Sequence, residues 1–239
     1  MKEEKPLKLS SVRKIVLVTK DLMIQAVLVG APLFITAKTT EWPSATRFVS
    51  NYLIGSFALS LWTIMVIPSL MVERANPIKK GQKLWDKLLL LLLLILFEGW
   101  LVFQTLDSYF YHWSFPMPSL LQNTAGPLLI INFWFLLWSV RRENHFLSGA
   151  VHIQSDRGQT VITTGPYAVI RHPMYASMLF LIIGTAMMLN SAWGIVVGLL
   201  WFLLLAVRSI WEERELLEQL QGYALYMQKV KYRLIPHIW

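Results

Sequence analysis

The chain has 239 residues, 55% of them apolar and 15% charged, with a mean hydropathy of +0.49. Soluble domains carry about 25% charged residues, so this composition excludes an ordinary soluble domain and points to an integral membrane protein. The formal net charge is +8, but the cations flank apolar runs, where headgroups and topology account for them, and no nucleic-acid partner is expected. Cysteine is absent, which excludes disulfides, thiolate nucleophiles and cysteine metal sites. The histidines form no HExxH or paired motif, so no metal is expected.

In chain order, the charged stretch 1–20 is mildly amphipathic and lacks a small-residue cleavage signal, so the first apolar run is expected to be retained. Apolar segments follow at about 21–36, 48–72, 87–106, 120–140, 175–189 and 193–207. They predict an all-α fold, a polytopic transmembrane helical bundle of about six spans. The last two are the shortest, joined by the uncharged turn Asn190-Ser191-Ala192. Lys and Arg concentrate before the first span, between the second and third, between the fourth and fifth, and after the sixth. The positive-inside rule then places both termini and residues 165–173 on the cytoplasmic side of a multi-pass protein. Residues 1–140 read as N-terminal transmembrane helices, and 141–239 as a helical hairpin with a cytosolic region of loop and short helices.

Within the long polar stretch 141–165, Ser155 to Gln159 reads as a surface turn, and 159–164 as a short extended segment. Pro166 and Pro173 hinder continuous helix, which leaves Arg171 and His172 in irregular backbone at the mouth of the fifth span. From 207 to 230 the chain is helical in character, with Gly222 breaking the run before a second short helix. The apolar end, 234–239, is expected to fold back onto the site or onto lipid.

The candidate site residues cluster here. His172 changes charge near neutral pH and suits an anionic part of a ligand. Arg171 suits a ligand, a phospholipid headgroup or an ion pair, and Tyr167 and Tyr175 flank the pair with ring surface. Arg208 and Glu212 are four residues apart on one helical face, the spacing of an ion pair, and Glu213 lies about 100° around the helix. Two acids beside an arginine suit a polar cofactor whose hydroxyl and amino groups donate to carboxylates, while a substrate acid would meet the guanidinium fork. Glu98 stands alone inside the third span and is expected to face the bundle interior.

Gly165-Pro166-Tyr167, Arg171-His172-Pro173 with Tyr175, Glu212-Glu213, Gly222-Tyr223, Tyr226 and Pro236 together resemble the signature of the isoprenylcysteine carboxyl methyltransferase family. That family belongs to the small integral-membrane methyltransferases, related to phospholipid N-methyltransferases. The resemblance covers about residues 141–239. It implies S-adenosyl-L-methionine as methyl donor, leaving S-adenosyl-L-homocysteine. The cofactor would sit between the Arg171-His172-Pro173 loop and the last two helices, touching Tyr167, Tyr175 and the strip Gln159, Thr160, Val161 and Ile162. It implies Arg208 near the substrate and a cofactor-binding glutamate matching Glu212 by one spacing and Glu213 by another. The substrate would be a membrane lipid or a prenylated small molecule or peptide reached from the bilayer, and no metal is needed. Carboxyl O-methylation of an isoprenylcysteine-type acceptor stands first because Arg208 suits an anion; Glu212 or Glu213 would take a proton from an amine acceptor. The alternatives are N- or O-methylation of a phospholipid or other small lipid, and a nicotinamide-dependent membrane reductase of the sterol-reductase type.

Overall fold

The computed structural model describes residues 9–75, 79 and 81–239. The first eight residues of the charged N-terminal stretch, and Lys80 among the topology-setting cations, lie outside them. The architecture is a helical bundle, with β structure among the described residues confined to one isolated bridge between Ile170 and Tyr232.

Helix α1 (Ser11–Ala37) is capped by Ser10, whose hydroxyl accepts from the Arg13 amide at 3.3 Å. Helix α2 (Pro43–Val66) opens with proline in its first turn, where the missing N–H costs nothing. The expected single segment 48–72 is in fact two helices. Pro68 cannot continue a helix from Ile67, and the chain restarts as α3 (Pro68–Arg74). Helix α4 (Leu84–Thr105) carries the leucine run and passes into a π-helical turn, Leu106–Tyr111. A second π-helical turn, Leu121–Ala125, leads into α5 (Gly126–Glu143). After the long loop come α6 (Pro173–Leu189), α7 (Ala192–Gln219) and α8 (Tyr223–Lys229).

Among the described residues five helices, counting the π turns with α4 and α5, are long and apolar enough to cross a membrane: α1, α2, α4, α5 and α7. The protein is therefore a multi-pass membrane protein. Helix α6 has 17 residues and rises about 25 Å, short of the roughly 30 Å hydrocarbon layer. It is packed between α5 and α7. Close approach to α5 depends on paired glycines: a Cβ at Gly126 would lie 3.1 Å from the Gly184 carbonyl oxygen, and one at Gly184 3.0 Å from that of Gly126. The core joins Trp100 and Leu101 of α4, Ile130 and Phe133 of α5, Ile182 of α6 and Phe202 of α7. Leu88, Leu91, Leu92 and Ile95 on the outer face of α4 are exposed, as lipid-facing side chains must be.

Helix α7 decides where the site sits. Its 28 residues extend about 42 Å, well beyond the hydrocarbon layer, so its last turns carry Arg208, Glu212 and Glu213 toward the loop 144–172 and the C-terminal tail.

Candidate active site

Three pieces of backbone build a cleft at this end of the bundle. The first is the α5–α6 loop. Its Ser155–Arg157 turn closes on Gly158 in the left-handed region. The strip 159–164 forms no strand; Thr160, Val161 and Ile162 make no main-chain hydrogen bonds among the described residues. A short 3₁₀ turn, Gly165–Ala168, follows. Gly165 has φ +57°, and a Cβ there would stand 2.5 Å from Glu143 Cγ, so the turn needs glycine. The Tyr167 hydroxyl accepts from Asn144 Nδ2 at 2.9 Å, and its carbonyl accepts from the Tyr226 hydroxyl at 2.7 Å. The loop is thus stapled to α5 on one side and α8 on the other.

The second piece is the C-terminal tail, which folds back onto the site as the sequence suggested. The Arg171 amide donates to the Tyr232 carbonyl at 3.0 Å and the His172 amide to that of Arg233 at 2.9 Å. Arg171 Nη1 donates to the carbonyls of Val230 and Lys231, both at 2.8 Å. Glu213 is the hub. It accepts from Arg171 Nε at 2.6 Å and from Arg233 Nη2 at 2.7 Å, with His172 Nε2 at 3.1 Å. Only 2% of Glu213 is exposed; two arginines and an imidazole compensate its burial.

The third piece is a chain of polar contacts running inward from the cleft. Tyr175 stacks on His172 with ring centroids 5.5 Å apart, donates to Glu212 Oε2 at 2.6 Å, and accepts from Arg208 Nη1. Arg208 Nε and Nη2 reach Asp86 Oδ1 at 3.1 and 2.8 Å, and Nη2 also donates to the Gly149 carbonyl at 2.7 Å. Asp86 is fully buried; its other oxygen accepts from the Val151 amide at 2.9 Å and Gln82 Nε2 at 2.7 Å. The expected Arg208–Glu212 ion pair is therefore replaced by a relay through the Tyr175 hydroxyl.

The cleft holds about 840 Å³ of empty space, part of it open to solvent. Gln159, Thr160, Val161, Ile162, Tyr167, Arg171, His172, Pro173, Tyr175 and Glu212 all stand on its wall. Glu213 and Arg208 do not: each lies one layer behind, held by its own counter-charges. Glu212, with a quarter of its side chain exposed, is the acid that meets the cleft. Pro173 is the first residue of α6 rather than part of an irregular loop. Sequence reasoning did not select Asp86 and Asn144, and it quoted Tyr223 and Tyr226 in the family signature without giving them a place in the site. Asp86 carried a legible signal, an acid in the first turn of a leucine-rich span, where it also meets the positive end of the helix. Burial raises the hydroxyl pKa of Tyr167, Tyr223 and Tyr226 well above the ordinary tyrosine range, so all three stay protonated donors at neutral pH. Glu98 is half-buried in α4, away from both the cleft and the relay, and its Oε1 has no hydrogen-bond partner among the described residues. Among the described residues no group of three or more His, Asp or Glu side chains is placed to hold a metal ion.

Residues 121–230 match the family model for phospholipid methyltransferases. The match runs from the π turn before α5 through α8 and takes in the whole α5–α6 loop, so it covers most of the cleft. This segment thus carries the pattern of the small membrane methyltransferases that the Gly165 to Tyr175 motif resembled, which supports a membrane methyltransferase over the reductase alternative. Isoprenylcysteine-type and phospholipid acceptors are both compatible with it. No curated protein matches the chain.

Proposed function

We propose that the protein transfers a methyl group from S-adenosyl-L-methionine to a lipid-like acceptor drawn from the bilayer, and that the cleft beneath α6 and α7 holds the cofactor. The observation that carries this reading is the pairing of Glu212 with the strip 160–162 across one cleft. Tyr175 fixes Oε2 of Glu212, while Oε1 makes no hydrogen bond among the described residues. The unpaired main-chain groups of Thr160, Val161 and Ile162 line the same space. Buried or half-buried polar groups without partners are costly, and a ligand that pairs them relieves that cost. A ribose hydroxyl or amino group suits the carboxylate, a purine edge suits the peptide groups, and Tyr167, Tyr223 and Tyr226 offer ring surface.

Bound S-adenosyl-L-methionine would supply an electrophilic methyl group. The chain's part is then to position and desolvate rather than to perform acid–base work. His172 and Arg171 close the cleft by pinning the tail, and Asp86 and Arg208 act as positioning residues that aim Tyr175 and hence Glu212. Arg208 has most of its donors committed to Asp86, Gly149 and Tyr175, which removes the ground for ranking a carboxylate acceptor above a phospholipid or other small lipid. An amine acceptor would find Glu212 as the available base. We further propose that residues 1–140 form the membrane scaffold and 141–239 the methyltransferase core, with the cleft and both termini on the cytoplasmic face by the distribution of Lys and Arg.

Calorimetric titration of detergent-purified protein with S-adenosyl-L-homocysteine, beside NADPH, tests the reading. Saturable binding of the homocysteine compound, weakened about tenfold or more in Glu212→Gln by loss of a charge-assisted hydrogen bond, is expected. A folded preparation that binds only NADPH, or neither compound, overturns it.

A further inference from the structure

The outer face of α4 carries one residue that hydrocarbon does not suit. Leu84, Leu88, Leu91, Ile95, Glu98 and Val102 follow one another at alternating steps of four and three, which puts them in one row along the helix. Leu84, Leu88, Leu91 and Ile95 are each more than half exposed, so the bundle leaves this row uncovered. Within a leucine run every row is apolar, and the row alone would mark nothing. Glu98 singles it out. Its Oε1 is enclosed without a hydrogen-bond partner among the described residues; Oε2 lacks one too but is not enclosed, so it reaches the outer surface. Gly99, next to it, is exposed, and a Cβ there would meet nothing within 4 Å. A neighbouring backbone can therefore come close at this level.

Depth decides what can meet that carboxyl. Asp86 and Asp107 anchor polar networks at the two ends of α4 with its π turn. They are 21 residues apart in the sequence, about 31 Å of helix, which is the thickness of the hydrocarbon layer. Glu98 lies 12 residues from the first and 9 from the second, near the middle. Lipid headgroups and water are then roughly 15 Å away. An unpaired carboxyl at that depth is costly, and only another membrane-spanning helix can bring a polar group to it.

The neutral acid, the form hydrocarbon admits, carries one O–H donor and one carbonyl acceptor. It therefore complements a second copy of itself. Copies of one chain share one orientation in the membrane, so two α4 helices run parallel and Glu98 stands opposite Glu98 at equal depth. An isologous twofold contact brings identical residues together in this way.

We propose that a second copy of this chain covers the outer face of α4, the two helices packed in parallel along this row, with each Glu98 O–H donating to the carboxyl oxygen of the other. The leucines supply the packing, and the acid pair fixes the register, as a single polar residue does in a coiled-coil seam. The proposal does not depend on the methyltransferase reading.

The test is single-molecule photobleaching of full-length protein, labelled through an added N-terminal tag, in phosphatidylcholine vesicles at falling protein-to-lipid ratio. The wild type is expected to bleach in two steps and to give way to single steps on dilution. Glu98→Leu should shift that dissociation by about tenfold or more, the size of an interhelical pair of hydrogen bonds. Glu98→Gln keeps a donor and an acceptor and should stay near the wild type. Because the chain has no cysteine, one introduced residue also reports the face. Val102→Cys should form a disulfide-linked dimer under oxidant, and Leu96→Cys, turned about 120° from it around the helix, should not. Circular dichroism confirms that each variant keeps its helix content. A wild type that is monomeric at every ratio overturns the proposal, whatever other membrane protein binds this face. An unchanged dimer in folded Glu98→Leu, a loss in Glu98→Gln as large as in Glu98→Leu, or equal cross-linking at the two cysteine positions overturns it as well.

Discussion

The two ends of the bundle each bury carboxylates, and they satisfy them differently. At the end away from the cleft, fully buried Asp107 accepts from the Ser114 amide and hydroxyl at 2.8 and 2.6 Å and from the Ser191 hydroxyl at 2.5 Å. The same serines bind the start of α7: Ser114 Oγ accepts from the Trp193 amide and Ser191 Oγ from the Gly194 amide. Asp107's side-chain donors among the described residues are neutral, and the cleft does not border it. At the cleft end, Asp86 and Glu213 meet arginines, and the networks end at a cavity wall. A carboxylate closed by hydroxyls and amides fastens a π turn to a helical hairpin. One balanced by cations beside an open space also fixes the local field that a polar ligand enters.

Substitutions can break this comparison or sharpen it. The largest effect is expected from Glu213→Ala, which strands Arg171, Arg233 and His172; loss of about 3–5 kcal/mol should appear as a lower unfolding midpoint in detergent together with lost S-adenosyl-L-homocysteine binding. Asp107→Ala should cost about 1–3 kcal/mol through its unpaired donors and leave ligand affinity in the surviving folded protein unchanged. A parallel fall in affinity would mean that the two ends are coupled, and the contrast drawn here would fail. Tyr226→Phe removes one hydrogen bond to the Tyr167 carbonyl; about 1 kcal/mol of stability and a modest weakening of the homocysteine compound should follow, read by the same titration. The smallest effect belongs to Lys83→Ala. Its ion pair with Glu215 at 2.6 Å lies at the surface, where solvent and salt screen it, so neither midpoint nor ligand affinity should move.

Local patterns were legible along most of the chain. The apolar runs located α4, α5 with its π turn, and α6 to within a few residues, whereas α1 begins ten residues before the run 21–36 and α7 continues twelve residues past the run 193–207. The tight turn at Asn190 appears with Asn190 in the left-handed region, and Gly222, at φ +89°, separates α7 from α8. The same reasoning drew α2 and α3 as one segment, because hydropathy does not register that Pro68 ends a hydrogen-bond ladder inside an apolar run. At the site, the loop motif and the strip 159–162 were readable because they are short and contiguous. The order of layers was not. Glu212 and Glu213 are neighbours in sequence, yet one turns to the cleft and the other to the tail, since adjacent helical positions point about 100° apart.

By itself, the sequence determined the solvent and the local chemistry. It specified a membrane bundle with a polar loop at one face and an acid pair at the end of its last long helix, because hydropathy and helical spacing act over a few turns. Only the tertiary structure decided which charges meet. The Asp86–Arg208 pair joins residues 122 positions apart, and the tail carbonyls that hold Arg171 come from 59 and 60 positions downstream. Ion pairing depends on distances of a few ångströms between side chains on different helices, and those distances are set by helix packing, for which no single segment carries the information.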